Sequence, residues 1–292
     1  MQIVPGARLG SYVFERPLGV GAFGVVWLAG REGALDQKVA IKVLHPQAAV
    51  SHESVERFRR EARALKQLSS PHIARMYEFV VGPPFGFALV MEYIQGELLS
   101  NVFKRTKLGV EDTIYLGQNM LRGVAEMHTH GIIHRDLKPA NVMLRPIQNG
   151  WRAVILDFNL SRFKDGKDET GKPQGALTTM GSAIGTIPFM APEQIVDARR
   201  ANEAADVYAV AAILFNAVAG HPAFDMSSFR QKLTDEAAPV PTGRTDATAM
   251  AFTAVIAKGL MRKPQDRYGT AQEMLDALGQ IPRTPPTSQR AT

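Results

Sequence analysis

The stretch that decides the fold is His134-Arg135-Asp136-Leu137-Lys138-Pro139-Ala140-Asn141, with Asp157-Phe158-Asn159 following it. Asp136 can accept a proton from a hydroxyl group, and Lys138 supplies a positive charge beside it. Asn141 and Asp157 offer the oxygen ligands that Mg²⁺ prefers. A lone His-Arg-Asp tripeptide occurs by chance, whereas every polar member of the longer run has a role in phosphoryl transfer. The alternative is a loop whose charges only pair with one another.

A glycine-rich stretch lies upstream, in Leu18-Gly19-Val20-Gly21-Ala22-Phe23-Gly24-Val25-Val26. The G-x-G-x-x-G pattern alone is ambiguous, because dinucleotide-binding folds also carry it, with a helix directly after the glycines. Here the residues after Gly24 are strand-like, which favours a flap whose backbone closes over phosphates. The alternative is an ordinary glycine-rich hairpin. A P-loop is excluded, since the chain has no G-x-x-x-x-G-K-[ST] pattern.

Lys42 lies between Ile41 and Val43 in a predicted strand. A lysine in an apolar strand either needs an anion or faces solvent. Glu61 is the candidate partner, because it borders the apolar stripe of the helix predicted at residues 51–68. A Lys42–Glu61 pair would aim the ammonium at phosphate oxygens, whereas the alternative is two solvated surface charges.

Composition narrows the class of protein. The chain has 292 residues, of which 45% are apolar, so it can bury a substantial core. It has no cysteine, which excludes disulfides and zinc-thiolate sites. The net charge is +6, but the lysines and arginines are scattered among acidic residues, so we expect no nucleic-acid partner.

The apolar run Val207–Ala219 is too short to span a bilayer and predicts a buried helix. With no secretion signal visible, we expect a cytoplasmic location and no membrane segment in this chain.

The pattern along the chain predicts a strand-rich half followed by a helical half. Strands are predicted within residues 11–45, near 75–81 and near 86–92, and helices at 51–68, 111–130, 203–219, 246–261 and 270–279. Gly131 is expected just beyond the end of a helix, and Asn149-Gly150 is expected to turn a hairpin. Residues 161–183 lack any period, and a loop of that length is usually functional or disordered.

Together these residues resemble the eukaryotic-type (Hanks-type) serine/threonine protein kinase family, and they resemble its bacterial members in particular. The motifs occur in the family's order, ending in Ala191-Pro192-Glu193, and Lys138 is typical of the serine/threonine branch. The resemblance implies an α+β, two-lobed protein kinase fold: a small antiparallel β-sheet lobe plus one helix, and a larger, mainly helical lobe. The implied boundaries are an N-terminal extension at 1–11, an N-lobe at 12–91, a hinge at 92–96, a C-lobe at 97–280 and a disordered tail at 281–292.

The resemblance also implies roles for individual residues. Asp136 would act on the substrate hydroxyl, Lys138 would contact the γ-phosphate, and Lys42, supported by Glu61, would bind the α- and β-phosphates. Asn141 and Asp157 would hold Mg²⁺. The ATP-binding residues would be Leu18, Gly19, Val20, Gly21, Ala22, Phe23, Gly24, Val25, Val26, Ala40, Lys42, Glu92, Ile94, Met143 and Asp157, with Glu97 a weaker candidate for the ribose. Asp206 would brace the catalytic loop, residues 134–141, and Arg267 would pair with Glu193.

The resemblance therefore implies an ATP- and Mg²⁺-dependent kinase that phosphorylates protein serine and threonine, and its own segment between Leu177 and Ser182. One departure is Asn159, where the family has glycine, and it keeps a second interpretation open: a pseudokinase that scaffolds or binds nucleotide without transferring phosphate. A third is a kinase-like enzyme acting on a small molecule. Asparagine tolerates positive φ well, so we expect an active enzyme. The sequence does not indicate the oligomeric state.

Overall fold

The structure is a computed structural model. The residues it describes are 3–21, 24–44, 59, 62–82, 85–156, 187–197, 200–224, 231–234 and 238–282. The chain forms two compact units. The first comprises Met1–Gly96 and Leu156–Gln174, and the second comprises Glu97–Ile155 and Gly175–Thr292.

The first unit is built on a six-stranded antiparallel sheet. Its strands are β1 (Arg8–Leu9), β2 (Tyr12–Gly21), β3 (Gly24–Arg31), β4 (Ala34–Leu44), β5 (Met76–Gly82) and β6 (Gly86–Glu92), in the order β1-β2-β3-β4-β6-β5. These strands confirm the predicted ones. Residues 62–67 are helical, in agreement with the helix predicted at 51–68, most of whose first half lies outside the described residues.

One face of this sheet forms an apolar core. Phe14, Trp27, Ile41 and Val90 are buried there, and the rings of Phe14 and Trp27 meet edge to face with centroids 5.7 Å apart. Side chains alternate between faces along a strand, so the residues on either side of Ile41 lie on the opposite face. Lys42 is one of them.

The second unit carries a small sheet and most of the helices. Strands β7 (Glu97–Leu98), β8 (Val142–Ile147) and β9 (Gly150–Ile155) pair in that order. The helices are α1 (Leu99–Arg105), α2 (Val110–Thr129), α3 (Pro192–Val196), α4 (Glu203–Ala219), α5 (Ala247–Gly259) and α6 (Ala271–Gly279). The predicted helices at 111–130, 203–219, 246–261 and 270–279 are confirmed, whereas α1 and α3 were not predicted.

Helix α4 is the centre of the second unit. Every residue from Ala204 to Ala219 is buried, which confirms the prediction for the apolar run. The Asn202 side chain caps the helix by accepting a hydrogen bond from the N–H of Ala204 at 3.1 Å, and Gly220 ends it with φ +79°. In the described part of the chain, no helix has the length and apolarity needed to cross a bilayer.

Helix α2 ends where the sequence predicted, and this ending leads the chain into the catalytic loop. Gly131 has φ +70° and donates its N–H to the carbonyl of His128 at 2.9 Å, while Ile132 donates to Met127 at 2.9 Å. These two bonds form a Schellman motif, which requires a left-handed residue at Gly131. The predicted β8–β9 hairpin is confirmed, with its turn at residues 148–149, one residue earlier than expected, because Ile147 pairs with Gly150.

Candidate active site

Asp136, Lys138 and Asn141 lie together in the second unit. The 3₁₀ turn Pro139–Asn141 follows the loop and returns Asn141 to Asp136. Lys138 Nζ lies 3.0 Å from Asp136 Oδ2, and the Asn141 amide donates to the Asp136 carbonyl at 2.9 Å and to Oδ2 at 3.3 Å. The Asp136 side chain is only 3% exposed, so solvent has little access to this carboxylate.

The side chain of Asp136 is held by two neighbours in the loop. One oxygen of Asp136 faces both a cation and an amide, and these two contacts fix the orientation of the carboxylate. The nitrogen of the Asn141 amide faces Asp136, so its carbonyl oxygen is the atom suited to a hard cation. The described residues contain no group of three or more His, Asp or Glu side chains arranged to hold a metal. Asp157, the other magnesium ligand that the resemblance implies, lies outside the described residues.

Asp206, in the first turn of α4, holds the backbone of the catalytic loop. Its Oδ2 accepts a hydrogen bond from the N–H of His134 at 2.8 Å, and its Oδ1 accepts one from the N–H of Arg135 at 2.9 Å. His128 at the end of α2 adds a third contact, Nε2 to Asp206 Oδ2 at 2.9 Å. A carboxylate that is almost fully buried is tolerated because these donors replace water. The predicted bracing role of Asp206 agrees with this geometry.

Arg135 has an unusual backbone conformation. Among the described residues it is the only non-glycine with positive φ, at +63°. Such a conformation costs about 1–3 kcal/mol and persists only where the surroundings impose it. Asp206 binds the N–H of Arg135 on one side, and the Gln194 amide donates to the Arg135 carbonyl at 3.1 Å on the other. The two contacts fix the peptide groups on both sides of Arg135, and the second of these groups leads directly into Asp136.

The predicted partnership of Arg267 with Glu193 is also present. The guanidinium donates through Nη1 and Nη2 to the two carboxylate oxygens, both at 2.8 Å. It further donates to the carbonyls of Met261, Ala204 and Arg262, at 2.6, 3.1 and 2.8 Å. The Arg267 side chain is fully buried, so this bidentate pair joins α3 to the segment before α6 with every donor occupied.

In the first unit, Lys42 lies on the sheet face opposite the apolar core. The residue is 5% exposed, which excludes a solvated surface lysine. Val26 pairs with Lys42 across β3 and β4, so the two share a face, and Ala40 lies on the same face two residues away. The sheet therefore presents together three residues that the resemblance assigns to ATP. The proposed partner Glu61 lies outside the described residues.

The glycine-rich stretch is a hairpin and not the start of a helix, because Gly21 pairs directly with Gly24 across β2 and β3. Leu18 and Val20 are exposed apolar residues, with Val20 at 79%, whereas Val25 is half-buried. A Cβ at Gly24 would lie 2.1 Å from the carbonyl oxygen of Val43, so only glycine fits there. At Gly19 an added Cβ would meet no described atom within 4 Å. Glycine at that position leaves room for a molecule outside the chain to approach the backbone. Ala22 and Phe23 lie outside the described residues.

The expected hinge follows β6. Glu92 ends that strand, donates its N–H to the Arg75 carbonyl at 2.8 Å, and accepts from the N–H of Arg75 at 3.3 Å. Ile94 is buried. In the second unit, Met143 is half-buried on β8, where it pairs with Leu98.

Glu97, the weaker ribose candidate, forms a two-pronged ion pair with Arg105. The hydrogen bond from Arg105 holds the pKa of this carboxyl below its ordinary value. Asp157, Asn159, the candidate phosphorylation sites Thr178, Thr179 and Ser182, and residues 283–292 of the predicted tail lie outside the described residues.

Comparison with known proteins shows which family this chain belongs to. Residues 12–277 match the protein kinase domain. Serine/threonine-protein kinase pkn2 of Myxococcus xanthus is 33% identical over 276 residues, which are 92% of this chain and 32% of that protein. Serine/threonine-protein kinase PkaA of Streptomyces coelicolor is 32% identical over 268 residues, 88% of this chain and 47% of that protein. The chain thus spans about a third of the length of the first of these relatives and just under half of the second.

A solved structure of the Mycobacterium tuberculosis PknI kinase domain has a TM-score of 0.69 at 22% identity, and the match covers 96% of this chain and all of that one. At this identity the likeness establishes the fold alone. Fold and catalytic loop together define a protein kinase domain. The chain belongs to the protein kinase family, in its bacterial serine/threonine branch. The fold and family expected from the motifs are therefore confirmed.

Proposed function

We propose that this chain transfers the γ-phosphate of ATP to serine and threonine hydroxyls of proteins. The observation that carries the proposal is the catalytic loop, where Asp136 is held by Lys138 and Asn141 at 3.0 and 3.3 Å. Phosphoryl transfer needs little covalent help from the protein, so catalysis comes mainly from positioning and from stabilising charge. Those are the two tasks that a fixed carboxylate and an adjacent ammonium can perform.

In the proposed mechanism, Asp136 accepts a hydrogen bond from the acceptor hydroxyl and orients its oxygen toward the phosphorus. Lys138 stabilises negative charge on the group being transferred. Asn141 and Asp157 would hold Mg²⁺, which when bound neutralises phosphate charge. The backbone of Arg135 is bonded to Asp206 on one side and to Gln194 on the other. These bonds keep the neighbouring Asp136 in a fixed position.

We assign nucleotide binding to residues of the first unit, to Met143 and to Asp157. Lys42 would contact the α- and β-phosphates with Glu61 as its partner, and the backbone of Gly19–Gly24 would cover the phosphates. Leu18, Val26, Ala40 and Met143 would contact the adenine ring, with the Glu92 carbonyl and the Ile94 N–H reading its edge. The shared sheet face of Val26, Ala40 and Lys42 supports this assignment.

A protein substrate is favoured over a small molecule. The segment that ends in Ala191-Pro192-Glu193 is long and is anchored by the buried Glu193–Arg267 pair, as expected for a platform that receives a polypeptide. We retain the boundaries 12–91, 92–96 and 97–280 for the two lobes and the hinge. A cytoplasmic location is proposed because ATP is available there, and phosphorylation between Leu177 and Ser182 stays a prediction.

The test is incubation of the purified chain with Mg²⁺, γ-labelled ATP and casein, followed by mapping of phosphorylated residues. Asp136→Asn is expected to lower transfer by ~10²–10⁴-fold while nucleotide binding persists, since the acid acts on the hydroxyl. Asp112→Asn, an exposed acid in the first turn of α2, is the matched control and should retain full activity. Near-normal turnover of Asp136→Asn would refute its role. Wild type that binds ATP without transferring phosphate would instead support the pseudokinase alternative.

A further inference from the structure

Lys232 is a buried lysine that the proposed mechanism does not use. It is 1% exposed and lies in the 3₁₀ turn Gln231–Leu233 of the second unit. Its Nζ donates hydrogen bonds to the carbonyl oxygens of Ile187 at 3.1 Å and Pro188 at 2.8 Å. The same nitrogen lies 4.9 Å from the centroid of the Tyr208 ring, on α4, and 6.0 Å from that of Phe224. The ammonium is therefore enclosed by two aromatic rings and two backbone carbonyls.

A cation in this position is costly for the fold. Burial lowers the pKa of Lys232 to about 7, with Arg267 also lowering it and Glu193 raising it. A methionine could fill a similar volume without the desolvation cost, and such replacements of buried charges are often neutral or stabilising. Packing alone therefore does not account for the lysine, whereas a need to hold the two carbonyls does.

The two carbonyls belong to a segment that is tied to the catalytic loop. Ile187–Phe189 forms a single 3₁₀ turn, and the Ala191 N–H donates to the Gln194 side-chain oxygen at 3.2 Å. The nitrogen of the same Gln194 amide donates to the carbonyl of Arg135 at 3.1 Å, directly before Asp136. The segment is thus fixed to the catalytic loop through Gln194 and to the 3₁₀ turn of Lys232 through two carbonyls.

We propose that Lys232 is a positioning residue for the protein substrate. By holding the Ile187 and Pro188 carbonyls it sets the distance between this segment and Asp136, and so shapes the surface against which an extended acceptor peptide lies. Because Gln194 bonds the carbonyl of Arg135, directly before Asp136, an acceptor hydroxyl placed at Asp136 would bring its peptide near this segment. The inference rests on the proposed kinase function, since it concerns the polypeptide acceptor of the same site.

The first test separates substrate positioning from general damage. Lys232→Met removes both hydrogen bonds to the segment, so it is expected to raise the KM for an acceptor peptide about tenfold and to leave the KM for ATP and the rate of ATP hydrolysis unchanged. Lys258→Met is the matched control, because Lys258 Nζ also lies over a ring, 4.4 Å from the centroid of Tyr268, but is exposed on α5. It should change none of these values. An unchanged peptide KM, or a parallel loss of ATP hydrolysis, overturns the proposal.

The second test does not need catalysis. Hydrogen exchange at the amides of Ile187 and of residues 189–191 should accelerate in Lys232→Met and not in Lys258→Met, and equal exchange in both would overturn the proposal. Wild type that transfers no phosphate would count against the proposed function, whereas the exchange result would still decide the role of Lys232. If Lys232→Met does not fold, Lys232→Gln replaces it. The glutamine side chain is one bond shorter and uncharged, so it cannot hold both carbonyls as Lys232 does, and it must show the same selective rise in peptide KM.

Discussion

Lys232 should make the stability of the second unit depend on pH. Burial lowers its pKa from the ordinary 10.5 to about 7 in the folded chain. Below pH 7 the lysine is charged in both the folded and the unfolded states, so the full cost of burying the cation opposes folding. Between pH 7 and 10.5 the folded state releases the proton and the unfolded state keeps it. The free energy of unfolding therefore rises with pH across this interval.

The magnitude follows from the two pKa values. A tenfold change in proton affinity is ~1.4 kcal/mol, so a fall from 10.5 to about 7 corresponds to roughly 5 kcal/mol when the transition is complete. From pH 6 to pH 9 the expected rise is on the order of 3 kcal/mol. Methionine cannot titrate, so Lys232→Met should not gain this stability as the pH rises. The free energy of unfolding of the variant minus that of wild type should therefore fall by the same amount between pH 6 and pH 9.

The measurement is urea unfolding of wild type and Lys232→Met at pH 6, 7, 8 and 9. The chain has two tryptophans, and Trp151 lies on β9 of the second unit, against Tyr115 with ring centroids 5.0 Å apart. A Trp27→Phe background makes Trp151 fluorescence report on that unit alone. Lys258→Met, which removes an exposed lysine, should give a difference from wild type that is constant with pH. A constant difference for Lys232→Met as well would refute the reasoning.

Four further variants test the glycine-rich hairpin, the buried ion pair and the departure at Asn159. Gly24→Ala should destabilise the first unit, on the order of 3 kcal/mol by urea unfolding, because its Cβ would meet the neighbouring strand at 2.1 Å. Gly19→Ala should leave that stability unchanged and raise the KM for ATP, and equal effects of the two variants would contradict the assignment. Arg267→Ala should cost roughly 3–5 kcal/mol by leaving Glu193 buried without its cation, and a loss below about 1 kcal/mol would show that the pair is dispensable. Asn159→Gly should change kinase turnover only modestly, whereas recovery of transfer from an inactive wild type would support the pseudokinase alternative.

Local patterns in the sequence predicted much of the fold. Gly131 predicted the end of α2, the apolar run predicted α4, and the strand-like residues after Gly24 predicted a hairpin in place of a helix. These features depend on neighbours within a few residues, where backbone conformation and periodicity act directly. Helix α1 was missed because it is seven residues long and has no side-chain N-cap, so neither period nor capping signalled it.

The catalytic loop was predicted because its residues are close in sequence, but the residues that support it were predicted only in part. Asp206 and the Arg267–Glu193 pair came from the resemblance. His128, Gln194 and Lys232 were missed, since their contacts span 78, 59 and 45 residues. Their residue types are common on protein surfaces, and only the folded chain brings each to a backbone atom or buried acid. Lys232 lies between Gln231 and Leu233 in a largely polar stretch, so it offered no signal of the kind that Lys42 gave within an apolar strand.

The attachment of the catalytic loop to Asp206 links the shape of the site to the integrity of α4. The amides of His134 and Arg135 are bonded to a helix whose residues are buried along almost its whole length. Those amides should open only when the helix itself comes apart, in the slowest class of hydrogen exchange. Heat inactivation and loss of tertiary structure in this unit would then coincide. In a mutational screen, substitutions inside α4 would be scored as catalytic defects although none of them touches the reacting groups.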